Sequence, residues 1–133
     1  MTETRFVQIL WIYVGLVLAS IAAYFFSGFS AELAVAYENE PEPWLMRNVW
    51  IGAAVLLPML FAWIVGLVGL FFFKSWARAL SLAITLLGLV LTVGLGPSLS
   101  SGLEASLLEA SSILWGAILA LAYFSPVSAR FER

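Results

Sequence analysis

Residues 49–96 read VWIGAAVLLPMLFAWIVGLVGLFFF, then KSWAR, then ALSLAITLLGLVLTVGLG. The first run is long enough to cross a bilayer as a helix, which takes ~20 apolar residues at ~1.5 Å per residue. A second apolar run begins after only Lys74-Ser75-Trp76-Ala77-Arg78, so the chain must turn straight back as a tight antiparallel hairpin. Neither run alternates in polarity, as a strand of a membrane barrel would. Both are apolar on every face, and a helix satisfies all of its backbone groups internally, as hydrocarbon demands.

Two further runs of the same kind flank this hairpin. Together they predict an all-α integral membrane fold: one transmembrane domain over 1–133, with helices near 6–26, 49–73, 79–96 and 107–124 joined by outer loops at 27–48 and 97–106. The composition agrees, since 63% of the residues are hydrophobic and 11% charged, against about half and a quarter in soluble proteins. Arg5 and the small residues Ala19, Ser20, Ala22 and Ala23 give the first run some features of a cleaved signal peptide. It nevertheless continues through Tyr24, Phe25 and Phe26, well past the ~7–15 residues of a signal core, and is read as a retained helix.

Positive charge orients the bundle, because short cytoplasmic segments are enriched in Lys and Arg. Arg5, Lys74, Arg78, Arg130 and Arg133 fall on one side of a four-span chain and Arg47 on the other. Both termini are therefore expected in the cytoplasm, with Lys74, Trp76, Arg78 and Arg130 as topology anchors. The inner piece Phe73-Lys74-Ser75-Trp76-Ala77-Arg78-Ala79-Leu80 resembles an aromatic, basic Trp-Ala-Arg loop found in small four-helix bacterial inner-membrane proteins of no assigned activity. The resemblance covers about eight residues and implies a multi-pass protein of the bacterial inner (plasma) membrane.

Small residues recur about every fourth position: Gly15, Ala19 and Ala23; Ala62 and Gly66; Gly88 and Thr92; Gly116 and Ala120. Such stripes let helix backbones approach closely in lipid, where no hydrophobic drive brings helices together. They build the bundle core, and a stripe left over is available for a second protein. A faint internal correspondence also pairs Trp63 with Trp115, Phe71 with Tyr123, Phe72 with Phe124 and Arg78 with Arg130, which is read as the shared aromatic-then-basic exit of two helices ahead of duplication.

The chemistry on offer is sparse. Cysteine and histidine are absent, which removes disulfides, thiolate sites and imidazole catalysis. Inside the spans the only acid is Glu109, near the outer end of the last, and no HExxH, GxSxG or P-loop pattern occurs. No catalytic residue, metal site or cofactor is predicted, and nothing suggests nucleic-acid binding. Glu32, Glu38, Glu40 and Glu42 form an acidic outer cluster, a candidate partner or cation contact, although prolines at 41 and 43 and the lack of a DxDxDG-type loop favour a solvated acidic segment. Small multidrug exporters share the chain's length but carry a glutamate inside the first helix, absent here; fluoride channels carry pore Asn and Phe residues with no counterpart.

What remains is a non-enzymatic accessory, regulatory or immunity-type protein, its partners the lipid bilayer and another membrane protein or itself. The competing expectation is a homo-oligomeric channel or transporter subunit with its path along Ser81, Thr85, Gly88 and Thr92.

Overall fold

Asn48 starts the second span. Its backbone is extended and its side-chain oxygen accepts hydrogen bonds from the amides of Trp50 (3.1 Å) and Ile51 (3.4 Å), two donors that the first helical turn leaves without partners. In the computed structural model, which describes residues 2–26, 35–36, 38–39, 45, 47–95 and 100–132, this helix is the second of four, all long and apolar enough to cross a membrane. We label them α1 (Glu3–Phe26), α2 (Val49–Phe71), α3 (Ser75–Leu95) and α4 (Gly102–Phe124); a short 3-10 helix, Pro126–Glu132, follows α4. Among the described residues there is no strand.

The spans lie where the hydropathy puts them, but their edges differ from the sequence reading. The inner turn is shorter than 74–78. α2 ends at Phe71, and the amides of Phe73 and Lys74 turn back to the carbonyls of Leu70 (3.2 Å) and Gly69 (2.9 Å). That is the paired bond pattern of a Schellman cap, which requires a left-handed residue at its C′ position. Phe73 supplies it with φ 52°, where glycine would be unstrained. α3 then begins at Ser75, so Trp76 and Arg78 belong to its first turn. α4 begins at Gly102, one residue before the helical pattern readable from Leu103 and five before the apolar span near 107, because Ser101 accepts a hydrogen bond from the Glu104 amide (3.2 Å) and caps the helix.

Helices pair two by two. α1 packs along α4 and α2 along α3, with a lighter contact between α3 and α4. The α2–α3 crossing is narrow: a Cβ on Gly66 would lie 2.8 Å from Ser81 Oγ, and one on Gly69 would lie 2.6 Å from the Ala77 Cβ and 2.9 Å from the Trp76 ring. The run order is antiparallel throughout, since the start of α1, the end of α2, the start of α3 and the end of α4 meet at one end.

That end is closed. Ser125 caps α4 through its amide to the Leu121 carbonyl and also accepts from the Val127 amide (3.3 Å), turning the chain under the bundle. Val127 and Phe131, four residues apart, then face upward and are buried. Phe131 meets Phe6 edge-on at 6.0 Å and Phe73 at 5.3 Å between ring centroids. The core cluster runs from this plug through Phe6, Leu10, Leu70, Ala77, Ile118 and Ala122 up to Tyr13 and Trp115.

Candidate functional site

Above the closed end the two helix pairs are joined by a layer of three aromatic side chains. Tyr13 of α1 stacks on Trp115 of α4 (centroids 4.8 Å apart, 26° between planes) and meets Trp63 of α2 nearly edge-on at 6.2 Å. Their polar atoms are connected in turn. Trp63 Nε1 donates to the Tyr13 hydroxyl (3.2 Å), and Trp115 Nε1 donates to Thr85 Oγ1 (2.8 Å), which itself donates to the Ser81 carbonyl (2.7 Å). A buried indole N–H or phenol in hydrocarbon must find such a partner, so the layer ties all four helices together at one depth.

A cleft of about 510 Å³ opens on the far side of this layer. Tyr13, Trp63 and Trp115 form its floor, with Thr85; Leu56, Leu57, Met59 and Leu60 of α2 and Ile84 and Gly88 of α3 form its walls. Its lining is almost entirely apolar, and its size lies within the ~300–1,000 Å³ of small-molecule sites. Two of the wall residues, Leu57 and Leu60, are also exposed on the outer surface of the bundle, so the cleft opens sideways toward lipid.

The closed end carries most of the positive charge. Arg78 extends from α3 across the end of α4, donating from a terminal guanidinium nitrogen to the Ala122 carbonyl (3.2 Å). Its guanidinium also lies over the rings of Tyr123 (5.2 Å) and Phe131 (5.0 Å), an arrangement in which the ring quadrupoles offset part of the lost hydration. Its Nε is buried and has no partner among the described residues. Arg130 pairs with Glu3, holding the start of α1 to the terminal 3-10 helix. Lys74 and Trp76 are exposed at the same end.

The small residues singled out from the sequence are dispersed. Gly66 is buried at the α2–α3 crossing, Ala62 is half-buried one turn away and Ala23 is buried near the end of α1. At Gly15 and Gly116 a Cβ would meet nothing within 4 Å, and Ala19 and Ala120 are exposed. Gly88 lines the cleft, where a Cβ would lie 3.9 Å from the Met59 terminal methyl, while Thr92 is exposed and donates to the Gly88 carbonyl (2.9 Å). Glu32, Glu40 and Glu42 lie outside the described residues; Glu38 is exposed. Among the described residues no three acidic, histidine or cysteine side chains are grouped to hold a metal ion.

Tyr13, and the joining role of Trp63 and Trp115, are not legible from periodicity. The signal was nonetheless present: an indole or phenol in the middle of a span, away from the headgroup level these residues favour, must be bonded to something. Comparison of the chain with protein-family models, with curated proteins and with solved structures yields no match.

Proposed function

We propose that this chain is a non-enzymatic integral membrane protein that acts by binding: an accessory or regulatory component that holds an apolar guest in the cleft between its helix pairs. The observation that carries this reading is the contrast within one bundle. One half is packed to closure, and the other leaves an apolar concavity of about 510 Å³, open sideways to lipid and floored by a hydrogen-bonded aromatic layer. Such concavity with a few placed polar groups is the usual form of a ligand site. The positive-inside rule supports a closed, basic end in the cytoplasm and a cleft in the opposite leaflet, and the resemblance of residues 73–80 supports a bacterial inner membrane.

A homo-oligomeric pore along α3 would need hydroxyls directed at a path. Thr85 and Thr92 instead donate to carbonyls of their own helix, the ordinary state of hydroxyls in membrane helices, which leaves the pore the weaker reading. The test is native mass spectrometry of protein extracted gently from its own membranes. Wild-type protein should carry a stoichiometric companion, lipid-soluble molecule or protein, that Gly88→Trp loses by filling the cleft. Wild-type protein that carries nothing displaced by this substitution would falsify the reading.

A further inference from the structure

The Tyr13 hydroxyl accepts one hydrogen bond, from Trp63, yet its own proton has no acceptor among the described residues. Tyr13 is only 6% exposed and forms part of the cleft floor. Thr85, the other hydroxyl there, is already committed as donor to Ser81 and acceptor from Trp115. Among the described residues this donor has no partner in an otherwise apolar wall, and an acceptor carried by a guest would complete the hydroxyl's bonding.

Depth restricts what that guest can be. Tyr13 lies seven residues beyond Phe6, where the first apolar run begins, or about 10 Å up a helix rising ~1.5 Å per residue, well inside a ~30 Å core. Ester carbonyls of phospholipids are held at the headgroup boundary, short of that depth. An acceptor there belongs to a molecule that dissolves in the hydrocarbon as a whole. Three aromatic side chains line the floor, and aromatic rings pack favourably against a further ring face-on or edge-on. An apolar tail can leave past Leu57 and Leu60 into lipid.

From these constraints we infer that the cleft binds a planar, carbonyl-bearing apolar molecule, a membrane quinone in chemical class, whose carbonyl accepts the Tyr13 hydroxyl proton. This rests on the cleft being a guest site and adds the identity of the guest.

The test uses the full chain in phosphatidylcholine nanodiscs, titrated with a short-tailed ubiquinone while indole fluorescence is followed. Wild-type protein should be quenched saturably, and Gly88→Trp should abolish saturation. Tyr13→Phe, which keeps the ring and its stack on Trp115, should weaken binding about tenfold, as expected for one buried hydrogen bond. Because that substitution also leaves Trp63 without its acceptor, the control is a ring of the same shape without carbonyls, a naphthalene set against the matching naphthoquinone, which wild type and Tyr13→Phe should bind alike. Equal affinity of Tyr13→Phe and wild type for the quinone, or an equal loss for the carbonyl-free ring, overturns the assignment of the carbonyl contact. If the quinone does not bind saturably while a native companion is still lost on Gly88→Trp, the guest class is wrong and the cleft remains a guest site. Absence of both removes the two readings together.

Discussion

The two halves of this bundle are made of similar residues and packed by different rules. At the closed end, side chains from all four helices and the 3-10 helix converge on Phe6, Phe73 and Phe131, and Arg78 threads between Tyr123 and Phe131. Beyond the Tyr13–Trp63–Trp115 layer, α2 and α3 turn large side chains such as Leu57, Phe61, Leu89 and Val93 outward. Apolar content does not distinguish the halves. In lipid it cannot, because a leucine gains little by leaving hydrocarbon for a protein interior. What differs is the supply of close backbone approach at Gly66 and Gly69 and of polar groups that need partners.

Substitutions that probe this contrast should fall in a graded order. The largest effect is expected for Phe131→Ala, which removes the plug ring from Phe6, Phe73 and Arg78; about 3 kcal/mol should be lost in reversible unfolding in mixed micelles. A value near zero would mean that the closed end is no better packed than the open one. Gly69→Val comes next, since even a Cβ there would lie 2.6 Å from Ala77. Overpacking of this kind costs ~1–3 kcal/mol, and crosslinks between cysteines placed on facing positions of α2 and α3 should weaken in parallel.

Smaller changes sharpen the comparison. Glu3→Gln breaks the pair with Arg130, in which both side chains are 47% exposed; the expected loss is ~0.5 kcal/mol or less, and raising the salt concentration should erase it. Leu57→Ala, in the open half, exchanges one lipid-facing apolar side chain for another. Its stability should stay within ~0.5 kcal/mol of wild type, whereas a loss of several kcal/mol would show that the cleft wall is structural packing after all.

The sequence made the four spans and their antiparallel order legible because each rests on a local property, the length of an apolar run or the charges between runs. Helix edges were less so. The start of α4 was marked by Ser101 and Glu104, a capping pair three residues apart, yet hydropathy alone moves it toward 107. The turn after α2 carries no glycine at its left-handed position; Phe73 occupies it, and the reason lies elsewhere in the chain, in the rings of Phe6 and Phe131 that it touches. The terminal 3-10 helix was missed for a related reason. Val127 and Phe131 show a four-residue spacing after Pro126, but a segment of seven residues gives a periodicity too short to read.

The sequence alone determined that the protein is helical, that it has four segments able to span a membrane, and that basic residues gather at one end, because length, hydropathy and charge are summed along the chain and need no partner to be evaluated. Only the tertiary structure decided that Tyr13, Trp63, Thr85 and Trp115 share one layer, that Arg78 folds over Phe131, and that a cleft lies between the helix pairs. Those facts depend on helix rotation and crossing. In a bilayer, rotation and crossing are set by close packing and by the partner each buried polar atom finds, and no position along the chain records either.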